Sequence, residues 1–141
     1  YSLKEETVYF RFFSRIKIFS HEVVQKHWAS VDYRKNMSII GLVKRGGNKE
    51  IVAIGSYARE DAHSAEVAFV VSEDYQNMGI GTYLLEALEN IARENGYRRF
   101  TATVLRENAA MLHVFHKRYP HAKESKDAGN EVLLRMEFDD R

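Results

Sequence analysis

The sequence predicts an α+β domain built on one mixed, mostly antiparallel sheet with flanking helices. Three apolar, strand-like runs follow one another between residues 37 and 72, which predicts an antiparallel meander. Two segments with helical periodicity come next, one beginning at Gly79 and one after Asn108. A meander that continues into alternating helices and strands favours an α+β fold with its helices packed on a central sheet.

Length and charge narrow the class of protein. The 141 residues can bury about two-thirds of their unfolded surface, and no linker or low-complexity run divides them, so we expect one domain over residues 1–141. Because the chain begins with Tyr1, we expect a fragment of a longer protein. A net charge of +1 argues against a nucleic-acid partner. With no cysteine and no apolar run near ~20 residues, we expect a cytoplasmic protein without a membrane partner.

The first part of the chain carries two conflicting patterns. Apolar residues alternate between positions 3 and 13, which is typical of a strand. Ser2 followed by Lys4-Glu5-Glu6 is instead typical of a helix start, so both alternatives stay open. Ser20 then precedes apolar residues at helical spacing, which predicts a helix over residues 21–29.

The meander itself is expected over residues 37–44, 51–59 and 65–72. The first two runs join through Gly46-Gly47-Asn48, a sequence typical of a tight hairpin turn. Both faces of the third run are apolar apart from Glu66. This pattern favours a central position in the sheet for the third strand.

Two helices and two further strands complete the prediction. The leucines of residues 79–95 repeat at helical spacing, and Asn95-Gly96 is typical of a left-handed helix end. A second helix is expected to begin at Asn108 and to end at Pro120. Strands are predicted on either side of this second helix, over residues 100–105 and 131–138.

The turn between the third strand and the first helix is the most informative feature, Gln76-Asn77-Met78-Gly79-Ile80-Gly81-Thr82. A helix start offers unpaired N–H groups and about half a positive charge, so we expect a phosphate group to bind there. Leu84 stands where a dinucleotide motif needs its third glycine, and the lysine of a P-loop is absent. The two commonest phosphate motifs are therefore excluded.

The pattern Gln76-x-x-Gly79-x-Gly81, after a Val-Val strand, resembles the acetyl-coenzyme A motif of the GNAT superfamily of N-acetyltransferases. The resemblance implies a central strand that splays from its neighbour, with acetyl-CoA as co-substrate in the gap and no metal. It also implies a set of residues that bind acetyl-CoA: Phe69, Val70, Val71, Gln76, Asn77, Met78, Gly79, Ile80, Gly81, Thr82 and Asn108.

Acetyl transfer to an amine needs a proton acceptor. A lysine with a pKa of about 10.4 costs roughly 4.6 kcal/mol to deprotonate at pH 7, at ~1.36 kcal/mol per pK unit. Glu66 is the expected base, because it stands three residues before Phe69 in an apolar run. A glutamate at a strand end that faces solvent or forms a salt bridge is the simpler alternative. The resemblance further implies that the backbone N–H of Val70 stabilises the oxyanion.

Other polar residues have simpler interpretations. The tyrosine that donates a proton in many GNAT enzymes is replaced by Phe115, and a thiol with a pKa of about 8.5 can leave without one. Asn108 is expected to cap its helix and, by resemblance, to bind the pantetheine arm. His113 and His116 are expected to be structural or exposed, whereas His63 is a candidate substrate contact. Arg11, among aromatic residues, suggests a buried ion pair.

Several segments around the cofactor motif resemble the Pat-type bacterial protein-lysine acetyltransferases, and residues 9–14, 65–71 and 104–108 are among them. This resemblance implies a lysine acceptor on a protein such as an acyl-CoA synthetase, and a fused regulatory domain upstream. It also places the first GNAT strand before Tyr1, which would make the early segment helical. Tyr119-Pro120 departs from the family's usual Gly-Phe. The alternatives are a small-molecule amine acetyltransferase and a catalytically silent acetyl-CoA sensor.

Overall fold

The computed structural model describes residues 4–10, 14–20, 36–76, 79–126 and 129–140. For residues 4–10 and 14–20 it describes the backbone only. Two helices pack on the sheet, α1 (Ile80–Glu94) and α2 (Ala109–Arg118). Short 3₁₀ turns cover Glu73–Tyr75 and Phe138–Asp140. The strands are β1 (Lys4–Phe10), β2 (Ser14–Ser20), β3 (Asn36–Arg45), β4 (Asn48–Arg59), β5 (Ser64–Val71), β6 (Arg99–Leu105), β7 (Lys123–Lys126) and β8 (Glu131–Glu137).

Within the described residues the eight strands form one sheet in the order β1-β2-β3-β4-β5-β6-β8-β7. Every neighbouring pair is antiparallel except β5 and β6, which run parallel. The β3–β4 hairpin turns at Gly46 and Gly47, whose φ angles of 53° and 86° suit glycine. The predicted meander, the central position of β5 and the mixed α+β class are therefore confirmed.

Helix α1 is held close to the sheet by its apolar stripe. Leu84, Leu85 and Leu88 are fully buried in the core. Gly55 on β4 makes the close approach possible, because a Cβ at that position would lie 3.1 Å from Leu88 Cδ1. Gly96, with a φ of 92°, follows the end of the helix as predicted. This packing fixes the position of the α1 N-terminus relative to the end of β5.

The early segment differs from what the Pat-like resemblance implies. Residues Lys4–Phe10 form a strand that pairs with Ser14–Ser20, and this second strand pairs with β3. The expectation of a helix here was wrong, because the alternating apolar pattern and the backbone pairing outweigh the short helix-start signal. The predicted helix over residues 21–29 and the ion pair of Arg11 lie outside the described residues.

Strands β5 and β6 separate part of the way along their length. They pair at Ser64–Arg99, Ala65–Phe100 and Glu66–Thr101, after which β5 pairs with β4 alone. β6 meanwhile stays paired with β8 as far as Leu105. The sheet therefore opens beyond Glu66 and Thr101, in agreement with the predicted splay. None of the described helices is long and apolar enough to cross a membrane.

Candidate active site

A cleft of about 690 Å³ lies where the sheet opens, between the end of β5, the start of α1 and one face of α2. The cleft therefore brings together the separated strand, the glycine turn and the second helix. Asn77 and Met78 lie outside the described residues. All the other residues predicted to bind acetyl-CoA line the cleft: Phe69, Val70, Val71, Gln76, Gly79, Ile80, Gly81, Thr82 and Asn108.

The glycine turn presents backbone N–H groups to this cleft. Gly79 is the N-cap of α1 and has a left-handed φ of 90°, a conformation that favours glycine. The first helical hydrogen bond runs from the Tyr83 N–H to the Gly79 carbonyl, at 3.0 Å. The N–H groups of residues 80–82 precede that bond, so helix geometry leaves them without a helical partner. They form an anion-binding cradle beside the positive end of the helix dipole.

Gly81 has a second role, in the packing of α1 on β5. A Cβ at this position would lie 3.1 Å from Cε2 of Phe69. Phe69 in turn contacts Phe115 of α2, with ring centroids 5.4 Å apart. The floor of the cleft is thus an aromatic contact that joins both helices to the central strand. Phe115 stands where many GNAT enzymes have a proton-donating tyrosine. Because it is 1% exposed and belongs to the core, this residue has a packing role here.

The strand register shows which backbone groups of β5 face the opening. The Ser72 N–H donates to the Val52 carbonyl at 2.7 Å, which makes that pair hydrogen-bonded. Hydrogen-bonded pairs alternate along an antiparallel ladder, so Val70, opposite Ile54, directs its N–H toward β4. Phe69 and Val71 direct theirs toward the gap. The Val70 amide is therefore turned away from the place where the resemblance required it.

Gln76 orders the end of β5. Its Nε2 donates to the carbonyl of Val71 at 3.0 Å, and that carbonyl faces the gap by the same alternation. Because Gln76 occupies the Val71 carbonyl, the Val71 N–H is the gap-facing group of this residue that could donate a hydrogen bond to a bound molecule. Gln76 thus holds the strand end from the side of the cleft, a role that its place in the motif did not reveal.

Glu66 lies at the point where β5 and β6 part, opposite Thr101. Its side chain is exposed and shares a sheet face with Val70, which is 70% exposed. The apolar enclosure expected for Glu66 is therefore not observed among the described residues. Glu66 instead lines a second groove, of about 310 Å³, together with Glu60 and Thr101. Thr101 Oγ1 donates to Glu60 Oε2 at 3.0 Å.

Asn108 caps α2 as predicted, since its side chain accepts a hydrogen bond from the Met111 N–H at 3.1 Å. Because the same residue lines the cleft, the cap and a ligand contact can coexist. His116 Nε2 is buried and lies 2.7 Å from Glu124 Oε2 without hydrogen-bond geometry, which agrees with a structural position. His63 lies in the turn before β5, where its carbonyl accepts from the Arg98 N–H at 2.8 Å.

Among the cleft residues that the sequence analysis did not assign to the site, His113 and Lys117 are the two with basic side chains. They stand four positions apart on the exposed side of α2, so they share one helix face. Their spacing in the sequence was the available signal, because residues 109, 113 and 117 are four apart and therefore lie on one side of a helix. No aspartate or glutamate is among the described residues that line the cleft, and Lys117 adds a positive charge to the amide cradle. The cleft is thus suited to an anionic ligand.

A buried carboxylate holds α2 against α1. Glu89 of α1 is fully buried and accepts hydrogen bonds from Tyr119 Oη at 2.5 Å and Arg93 Nε at 2.8 Å. Arg118 Nε adds a third contact, at 3.2 Å. Burial and the Glu89 carboxylate raise the pKa of Tyr119. Its hydroxyl is therefore committed to the core and does not replace the missing proton donor.

Comparisons with known proteins identify the family. Residues 6–119 match the model of the acetyltransferase (GNAT) family. The chain is 31% identical over 110 residues to acetyltransferase PA5475 of Pseudomonas aeruginosa, covering 77% of this chain and 59% of that protein. It is 35% identical over 114 residues to acetyltransferase Pat of Mycolicibacterium smegmatis, covering 79% of this chain and 33% of that protein. The chain thus spans less than two-thirds of the length of either relative.

Solved structures share the fold. The GNAT domain of S. lividans PAT has a TM-score of 0.72 at 22% identity, with 94% of this chain and 96% of that chain covered. A cAMP-binding acyltransferase from Mycobacterium smegmatis has a TM-score of 0.75 at 25% identity, with coverage of 96% and 48%. The yncA protein of Salmonella typhimurium, solved with acetyl-CoA, has a TM-score of 0.60 at 17% identity, with coverage of 77% and 68%. Fold, family match and sequence relatives agree with the predicted enzyme class, and the chain belongs to the GNAT acetyltransferase family.

Proposed function

We propose that this domain transfers the acetyl group of acetyl-CoA to the side-chain amine of a lysine on a protein, such as an acyl-CoA synthetase, in the cytoplasm. The observation that carries the proposal is the opening between β5 and β6, which has a carboxylate-bearing groove where the strands part and an amide-lined cleft at the separated end of β5. The 35% identity to acetyltransferase Pat supports the choice of a protein acceptor.

The cleft fits the coenzyme in three ways. The N–H groups of residues 80–82 form the cradle for the diphosphate, and Lys117 contributes a positive charge from the opposite wall. The exposed N–H of Val71 and the side chain of Asn108 are available to the pantetheine arm. Val70, which is 70% exposed, supplies apolar surface along the same path. The predicted ligand set is thus retained in the proposal, with Lys117 added.

Glu66 is the proposed base. Glu66 takes the proton of the lysine ammonium, directly or through a water molecule, and passes it to solvent. The free amine then attacks the thioester carbonyl carbon, the C–S bond breaks with the electron pair going to sulfur, and the second amine proton leaves by the same route as the amide forms. The exposed position of Glu66 at the mouth of the opening allows these protons to pass on to solvent. Direct attack in a ternary complex needs no nucleophile from the protein.

The oxyanion that forms at the carbonyl needs a backbone donor. The register turns the Val70 N–H toward β4, so we assign this role to the N–H of Phe69, which faces the gap three residues beyond Glu66. The sulfur departs as a thiolate, at a cost of about 2 kcal/mol at pH 7. The buried positions of Phe115 and Tyr119 are consistent with departure without a dedicated acid.

Acetylation of a bacterial lysate tests the proposal. Wild-type protein with acetyl-CoA is expected to acetylate protein lysines that mass spectrometry can map, and Glu66→Gln is expected to slow this reaction by about a hundredfold. Glu94→Gln is the matched control, because Glu94 is an exposed glutamate at the far end of α1. Its rate should equal that of wild type.

The same assay distinguishes the alternatives. Turnover of polyamines or amino acids without any protein acetylation would replace the proposal by a small-molecule acetyltransferase. Acetyl-CoA binding with no transfer to any amine would point to a sensor. Equal protein labelling by wild type and Glu66→Gln would remove Glu66 as the base while leaving the reaction in place.

A further inference from the structure

The groove that holds Glu66 carries opposite charges at its two ends. Glu66, Thr101, Arg135 and Lys123 are register partners across four neighbouring strands, β5, β6, β8 and β7. Directly paired residues project to the same face of a sheet, so these four side chains form one row. All four line the groove, and Glu60 joins the acidic end through its hydrogen bond with Thr101.

The two basic residues are incompletely neutralised. Arg135 approaches Glu137 Oε1 at 3.6 Å, but Arg99 Nε holds the same carboxylate at 2.9 Å. Lys123 has no carboxylate partner among the described residues. Glu124 also lines the groove and keeps its negative charge there, since the His116 imidazole at 2.7 Å balances it only when protonated. The three positive charges of Arg99, Arg135 and Lys123 still exceed the two negative charges of Glu124 and Glu137. The basic end thus keeps a positive charge that the sheet itself does not satisfy.

The spacing of the row sets the length of a matching ligand. Neighbouring strands lie about 4.8 Å apart, so Arg135 is about 10 Å and Lys123 about 14 Å from Glu66, measured between backbones. This distance exceeds the separation of amine and carboxylate in a free amino acid. It corresponds to about three or four residues of an extended peptide, at about 3.3 Å per residue.

We infer that the acceptor is a peptide segment with an aspartate or glutamate three or four residues from the target lysine, recognised by Arg135 and Lys123. The lysine amine enters at Glu60 and Glu66, and the acidic side chain of the acceptor lies over the basic end. This inference rests on the proposed function and adds to it the class of sequence that is acetylated. Arg135 and Lys123 then determine specificity without taking part in the chemistry.

Synthetic peptides test the inference. Two peptides with one lysine are compared, one with glutamate and one with glutamine at the third and fourth positions on both sides. Wild-type protein is expected to show a kcat/KM about fivefold to tenfold higher for the glutamate peptide. Arg135→Glu should abolish or reverse this preference and should favour a peptide with arginine at those positions. Lys49→Glu is the control, because it reverses an exposed charge at the start of β4, the end far from Glu60. This variant should leave the preference unchanged.

Two controls make each outcome decisive. Lys123→Glu, on the edge strand, supplies a second variant if Arg135→Glu does not fold, and the affinity for acetyl-CoA reports folding for both. Equal kcat/KM for the two peptides with wild-type protein would overturn the inference and leave the proposed function standing. Acetylation of small amines without acetylation of either peptide would overturn the proposed function as well.

Discussion

The two sides of the opening between β5 and β6 are built from different parts of the chain. On the proposed cofactor side, the cradle consists of the backbone N–H groups of residues 80–82, and Gly79 and Gly81 determine its shape. On the proposed acceptor side, the row consists of side chains from four strands, and three of its four members are long and charged: Glu66, Arg135 and Lys123. A site made of backbone tolerates few substitutions, whereas a site made of exposed side chains can change its specificity without changing the fold.

The largest expected effect concerns the support of the cofactor side. Glu89→Ala leaves Arg93 and Arg118 without their buried partner and removes the acceptor of the Tyr119 hydroxyl. Removing one member of a buried ion pair costs about 3–5 kcal/mol. We therefore expect the free energy of unfolding, measured by urea denaturation, to fall by about that amount.

Glu86→Ala is the matched control for Glu89→Ala, one turn earlier on α1. Glu86 is mostly exposed and lies 3.8 Å from Arg118, so its loss should change the free energy of unfolding by less than about 0.5 kcal/mol. The Glu89→Ala protein that remains folded should also bind acetyl-CoA more weakly. Without Glu89, α2 is held less firmly against α1, and Asn108 at its start and Lys117 within it both line the cleft. A loss of stability no larger than that of the control would show that the buried cluster does not hold α2 in place.

The second prediction addresses the glycine cradle. Gly81→Asp places a carboxylate beside the site expected for the diphosphate and a Cβ at 3.1 Å from the Phe69 ring. We expect the affinity for acetyl-CoA, measured by calorimetry, to fall at least about a hundredfold. Gly81→Ala adds the same Cβ without the charge, so the difference between the two variants isolates the electrostatic part. Unchanged affinity in Gly81→Asp would exclude the cradle as the diphosphate site.

The contrast between the two sides also explains what the sequence could predict. The cofactor turn and the bounds of α1 depend on local signals, namely glycines at fixed spacing and leucines in one stripe, so they were recognisable in advance. The direction of the Val70 N–H depends on the β4–β5 register, which one sequence does not contain. The groove requires four strands to be aligned, and only the sheet brings Glu66 and Arg135 into one row.

Glu89 is an intermediate case. It stands on the apolar stripe of α1, four residues after Leu85 and four before Arg93, so a charged residue facing the core was visible in the sequence. Its partners on α2 were not, because they depend on how the two helices pack. The helical expectation for the early segment failed because Lys4–Phe10 pairs with the next strand, Ser14–Ser20, and this second strand pairs in turn with the more distant β3.

Alkaline pH gives a third prediction, through Tyr119. Its pKa is raised in the folded protein by burial and by Glu89, so the folded state holds the phenol proton more tightly than the unfolded state. The stability from this group is fully present below the unfolded pKa of about 10 and is lost as the pH rises above that value. Tyr119→Phe should therefore be less stable at pH 7, yet lose less stability between pH 9 and 11 in urea titrations. Parallel losses in both proteins would contradict the assignment.

The smallest expected effect separates the two sides most directly. Lys117→Ala removes one partly screened charge from the cofactor cleft, so the Kd for acetyl-CoA should rise about threefold to fivefold at low salt and less at high salt. Lys123→Ala removes the same charge from the acceptor groove and should leave that Kd unchanged, while lowering kcat/KM for peptides with an acidic residue near the lysine. Calorimetry and peptide kinetics on both variants measure this reciprocal pattern. If either lysine affected both measurements equally, the opening would act as one continuous charged surface, and the division between a backbone-built cofactor side and a side-chain-built acceptor side would not hold.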